Sequence, residues 1–139
     1  MTGTEITDQL DAIADVEDFA IRSAELTERW TSAGAGLESV EPILRFMEKH
    51  PSIHYGMPGA LVHFIERFYR TGYEEKLLES IKRMPTSTTV WMLNRVINGT
   101  NEPIARLPLI EAMKHSAQHS LADENAISMA SRFLQRLGE

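Results

Sequence analysis

Residues 57–100 read MPGALVHFIERFYRTGYEEKLLESIKRMPTSTTVWMLNRVINGT, and the punctuation of this stretch decides the fold class. Apolar side chains recur at helical spacing in three successive groups: Leu61, Phe64, Ile65 and Phe68; Tyr73, Leu77, Leu78, Ile81 and Met84; Val90, Met92, Leu93, Val96 and Ile97. Pro58 opens the first group and Gly72 ends it, while Pro85 closes the second. Residues 86–89 supply several hydroxyls able to cap the third helix, which Asn98-Gly99 stops. No convincing alternation of period two interrupts the pattern, so three consecutive helices are predicted and no strand.

The same grammar extends to both ends. Ile6, Leu10 and Ile13 predict a short first helix. Asp15 can cap a second, with stripe Val16, Phe19, Ala20, Ser23, Thr27 and Trp30, which ends at Ala33-Gly34-Ala35-Gly36. Ser39 can cap a third, carrying Pro42 in its first turn and Val40, Ile43, Leu44 and Met47 as core residues, until His50-Pro51 stops it. Beyond Gly99 a loop of about eight residues leads to Pro108 and a seventh helix with Leu109, Ile110, Met113 and Ala117. Ser120 or Asp123 starts the last, with Ala126, Ala130, Phe133, Leu134 and Leu137. The expectation is an all-α chain, a single helical domain over 1–139, with about eight short helices. Paired as successive hairpins, they would step by about 34 residues, as in a HEAT-like stack. No repeat is visible in the residues themselves, and an irregular helical bundle is the alternative.

Composition agrees with a folded chain: 42% hydrophobic and 24% charged residues exclude a disordered tail. The absence of cysteine rules out disulfides and thiolate metal sites and fits a reducing compartment. The acidic start MTGTEITDQLDAIADVEDF has no apolar stretch of the secretory type, and no run approaches the roughly 20 residues that span a bilayer. The chain therefore reads as cytosolic. Its net charge of −6 is unevenly placed. Glu5, Asp8, Asp11, Asp15, Glu17, Asp18, Glu25 and Glu28 face only Arg22 and Arg29 within the first thirty residues, and the remainder balances. An acidic end repels nucleic acid and attracts basic partners, although a plain solvated face would look the same.

Two helix faces stand out as candidate partner-binding surfaces. Opposite the apolar side of residues 88–99 lie Trp91, Asn94, Arg95 and Asn98, at spacing i, i+3, i+4, i+7. Trp and Arg are the types most enriched at binding hot spots, while a half-buried indole packed between helices is the competing explanation. Opposite Leu61, Phe64, Ile65 and Phe68 lie His63, Glu66, Arg67 and Arg70, with Tyr69 and Tyr73 at the edge. Here an ordinary Glu66–Arg70 ion pair, worth about 0.3–0.5 kcal/mol, explains the pattern as well. In a stack of hairpins both faces would sit on second helices and could adjoin.

Catalytic signals are weak. Glu111, His115 and His119 recur every four residues, yet the order is not that of a zincin and no further ligand set is evident, so polar surface histidines are the expectation. Residues 56–59, Gly-Met-Pro-Gly, lack the strand and lysine of a phosphate loop. There is no G-x-S-x-G elbow, and Lys82-Arg83 is the only adjacent basic pair. No enzyme activity, cofactor, metal or nucleic-acid contact is expected.

Within 57–100, the segments GALVHFIE (59–66), GYE (72–74) and PTSTTVWMLNR (85–95) resemble small helical immunity proteins of bacterial contact-dependent inhibition and related polymorphic toxin systems. The resemblance covers about a third of the chain. It implies a bacterial cytosolic protein that binds the toxin domain of a secreted effector, commonly basic and often a nuclease. The partner would then be a cognate toxin, neutralised by occlusion of its active site or of a surface it needs. A helical-repeat adaptor that binds another cellular protein is the alternative.

Overall fold

Side chains cap the starts of three helices in the computed structural model, which describes residues 1–138. The helices are Gly3–Asp11 (α1), Phe19–Ser32 (α2), Val40–Lys49 (α3), Ala60–Glu66 (α4), Tyr73–Arg83 (α5), Ser87–Asn98 (α6), Pro103–Ser116 (α7) and Glu124–Leu137 (α8). A single 3-10 turn, Leu37–Ser39, precedes α3, and no strand occurs among the described residues. Thr2 and Glu5 form a reciprocal capping box on α1, and Thr86 and Thr89 form one on α6. Asp123 accepts the Ala126 N–H at 2.8 Å to cap α8. At the other end of α8, Gly138 adopts the left-handed conformation (φ 78°) that commonly closes a helix. The all-α class is as the periodicity predicts.

The chain divides into two compact units, Met1–Lys76 and Leu77–Glu139, with the boundary inside α5. In the first unit α1 packs on α3, and α2 packs on α4. The pairing thus skips one helix. That corrects the expectation of successive hairpins, in which α1 would pair chiefly with α2 and α3 with α4. The core of this unit includes Ile6, Leu10, Trp30, Ile43, Leu44, Met47, Leu61 and Ile65, all at most 1% exposed. Burial of each such aliphatic or aromatic side chain stabilises the fold by about 1.5–3 kcal/mol. Trp30 donates its Nε1–H to Gln9 Oε1 at 2.7 Å, which lets the indole be buried without an orphaned donor. Phe19 stacks on Phe46 at 6.0 Å, and Tyr55 meets both rings edge-on. The Tyr55 hydroxyl donates to the His50 carbonyl at 2.8 Å, and burial pushes its pKa well above the ordinary tyrosine value.

Three helices have boundaries that differ from expectation. α2 begins at Phe19, because residues 13–16 are spent in turns (Ile13 N–H to Leu10, Val16 N–H to Ile13) and Asp15 caps nothing. Asp18 stands at the N-cap without capping, its carboxylate drawn to Arg22 Nε at 3.2 Å. α4 starts at Ala60 and ends at Glu66. Beyond it the chain tightens into turns, with Arg70 in the left-handed region (φ 64°) and its N–H held by the Glu74 carboxylate at 3.0 and 3.1 Å. Gly72 (φ 124°) completes the bend against Leu37, whose Cδ2 would lie 2.6 Å from any Cβ there. α7 begins at Pro103 rather than Pro108. Pro103 occupies the first turn, where a missing N–H is harmless, and Pro108 is accommodated on the exposed side of the helix.

In the second unit α6, α7 and α8 all pack on one another as a three-helix bundle. Val90, Met92, Leu93 and Ile97 of α6, Met113 of α7, and Ala126 and Ala130 of α8 are fully buried. The small side chains on α8 permit close approach of its neighbours. Among the described residues no helix is long and apolar enough to cross a membrane.

Candidate functional site

The outer face of α2 carries an exposed aliphatic side chain among acidic residues. Phe19, Ser23, Leu26 and Trp30 point inward, at spacing i, i+4, i+7, i+11. Roughly opposite on the wheel, Ile21 is 62% exposed, with Ala20 and Ala24 also exposed beside it. Glu25 and Glu28 are exposed on the same helix, and Glu17 is exposed in the turn before it. Arg22 satisfies Asp18 at 3.2 Å and Glu25 at 3.0 Å, whereas neither Glu17 nor Glu28 has an ion-pair partner among the described residues. Glu5, Asp8, Asp11 and Asp15 are exposed in the same unit. An isolated large aliphatic among carboxylates is the reverse of a core stripe. The stripe assigned to this helix from sequence included Val16, which is 38% exposed, and left out Leu26, which is 3% exposed. The signal that finds Ile21 is its position half a turn away from Phe19 and Trp30.

On α4, His63 and Arg67 are exposed and line a concavity between this helix and α2, with Thr27, Thr31, Ala60 and Phe64. Arg67 Nη1 donates to Thr31 Oγ1 at 2.9 Å, and its Cζ lies 5.5 Å from the centre of the Phe64 ring. Thr31 in turn donates its hydroxyl to the Thr27 carbonyl at 2.8 Å, so the guanidinium is anchored through a two-bond relay to the α2 backbone. Glu66 is half-buried. Tyr69 is half-buried too, its ring edge-on to Tyr73 at 5.4 Å. Arg70 leaves the helical register altogether, so the expected fourfold face on this helix reduces to His63, Glu66 and Arg67.

On α6, Thr89, Val90, Met92, Leu93, Val96 and Ile97 are buried, and Trp91, Asn94 and Arg95 are half-buried, with Asn98 exposed. The Arg95 guanidinium sits 5.1 Å from the centre of the Trp91 ring, a cation–π contact across one helical turn. One indole face is therefore occupied by the chain's own arginine. His63, Glu66, Arg67 and Tyr69 belong to the first unit and Trp91, Asn94, Arg95 and Asn98 to the second.

Glu111 and His115 on α7 and His119 in the turn after it do not converge. Glu111 and His115 approach to 3.8 Å on the solvent side. His119 is engaged elsewhere: Nδ1 accepts the Leu121 N–H at 3.1 Å, and Nε2 lies 2.9 Å from the Lys82 carbonyl. With Nδ1 an acceptor, Nε2 carries the proton and donates, which leaves neither nitrogen for a metal. Among the described residues no three His, Cys, Asp or Glu side chains come together in a metal-binding arrangement. No family model, no curated protein and no solved structure matches this chain.

Proposed function

We propose that the chain is an immunity-type protein that binds and neutralises a basic toxin domain, and that the outer face of α2 makes the central contact. The observation that carries this reading is Ile21, 62% exposed amid Ala20, Ala24, Glu17, Glu25 and Glu28. Stable interfaces combine a desolvated apolar anchor with a polar rim, and here the rim is anionic. Carboxylates spread along 1–30 raise the encounter rate with a positively charged partner and select against other acidic proteins. Neutralisation follows by steric occlusion, with the bound helix covering the toxin's active site or a surface it needs. The Trp91–Arg95 pair on α6 is a second, stiffened contact, since the stack already holds both side chains in one arrangement.

The test is co-expression with the product of the neighbouring gene, scored by growth rescue and by co-purification. A complex that restores growth, and that weakens on Ile21→Lys while the variant keeps its melting temperature, supports the reading. Stable binding to a cellular protein with no effect on toxicity would favour the adaptor instead.

A further inference from the structure

We infer that the notch formed by Arg67, His63, Thr31, Thr27, Ala60 and Phe64 is a recognition site for a carboxylate side chain of a partner protein, presented next to an apolar residue. The inference does not depend on the neutralising role, and the chemistry sought is opposite in sign to that of the α2 face.

Arg67 is exposed in a unit whose carboxylates outnumber its bases along 1–30, yet no carboxylate among the described residues pairs with it. Its single hydrogen bond goes to a neutral hydroxyl, through Nη1. The stem is fixed by the Phe64 ring below and the Thr31–Thr27 relay beside it. The remaining N–H groups of the guanidinium are thus held in place with no internal acceptor. A planar fork held in this way loses little freedom on binding and matches two carboxylate oxygens.

His63 stands one turn earlier on the same side of α4 and lines the same concavity, where it can donate a further hydrogen bond. The Phe64 ring and the Ala60 methyl are among the apolar groups of the lining, with Ile13, Leu26 and Ala33. The charge balance selects among anions. Glu25 and Glu28 border the concavity together with Arg22 and Arg29, so these acids and bases offset one another and the Arg67 fork is left as a single unmatched positive charge, which one carboxylate neutralises.

The experiment is selection of a phage-displayed random dodecapeptide library on the full chain and, in parallel, on Arg67→Met, which keeps an unbranched stem over Phe64. The α2 face is intact in both, so basic peptides captured there enrich equally and cancel. The expected result is enrichment on the wild type alone of peptides with Asp or Glu adjacent to Leu, Ile or Phe. A synthetic peptide of that sequence should bind about tenfold more weakly when its acid is replaced by the amide, the loss of one charge-assisted pair. Arg67→Lys should recover only part of the binding, and Thr31→Val should weaken it while the cation remains. Circular dichroism melts that coincide with the wild type establish that the variants are folded. Identical enrichment on wild type and Arg67→Met overturns the assignment, as does tighter binding of the same peptide with phosphoserine in place of the acid.

Discussion

The Nε2–H of His119 donates to the carbonyl oxygen of Lys82 at 2.9 Å, tying the α7–α8 turn to the last turn of α5 within the second unit. The terminal carbonyls of a helix have no partner in the helix itself, so a side chain from a distant loop that satisfies one closes a contact 37 residues apart in sequence. Nδ1 accepts from the Leu121 N–H, which leaves Nε2 as the donor of this clasp. His119→Ala should lower stability by about 1 kcal/mol in urea denaturation, the net worth of the exchanged hydrogen bonds. His119→Asn, whose amide retains one donor and one acceptor, should recover part of that loss. An alanine variant with an unchanged midpoint would mean that water replaces the imidazole at no cost.

Ser39 has the opposite character. Its side chain is fully buried at the start of α3, and its hydroxyl has no partner among the described residues, although its position suits it to be a cap. Ser39→Ala removes a desolvated hydroxyl and leaves the packing in place, so it should raise stability by about 1 kcal/mol. A thermal or chemical melt measures this directly, and a destabilised variant would show that a bound water satisfies the hydroxyl.

Tyr55 makes stability fall at alkaline pH. Burial raises its folded pKa above the unfolded value of about 10, so its contribution is fully present below that pH and is lost as pH rises toward the folded value. In Tyr55→Phe the alkaline decline should be shallower than in the wild type. The variant should also start from lower stability, having lost the hydrogen bond to His50. Parallel stability–pH curves for the two proteins between pH 8 and 11 would show that the phenol does not titrate differently on folding.

Ile21 and Trp91 separate the two candidate contact faces. Ile21→Ser should leave the melting temperature almost unchanged, because a side chain 62% exposed contributes little to the core. It should nevertheless weaken partner binding by at least about 2 kcal/mol if Ile21 is the anchor. Trp91→Ala removes both a half-buried ring and the Arg95 stack, so it should lower stability as well as binding. Calorimetric titration of the toxin complex distinguishes the two. Equal affinities for wild type and Ile21→Ser would move the contact away from α2.

The elements most legible in the sequence are those whose signals are local. Thr86, Asp123, Gly72 and the Asn98-Gly99 stop mark the edges of α5, α6 and α8 closely, since capping and turn chemistry need only near neighbours. Pro108 misled because proline suits a first helical turn, and Pro103 five residues earlier occupies that turn instead. Arg70 was read onto the α4 face because nothing local announces a left-handed residue; the cause is the Glu74 carboxylate gripping its N–H. The pairing of α1 with α3 and α2 with α4 was not legible, since an apolar stripe records that a face is buried and not which helix covers it. For the same reason the wheel separated Trp91, Asn94, Arg95 and Asn98 from the buried side of α6 but could not anticipate that Arg95 lies over the indole.

The two tryptophans fall one to each unit, Trp30 fully buried in the first and Trp91 half-buried in the second. They are consequently two optical reporters in different surroundings. Trp30, sealed from solvent with its donor on Gln9, should emit toward the blue and resist collisional quenchers, while Trp91 should emit further to the red and respond to them. Replacing either with phenylalanine leaves a chain whose fluorescence follows one half alone. Denaturation curves from the two single-tryptophan proteins would coincide if the molecule melts as one cooperative body, and would separate if each half has its own transition.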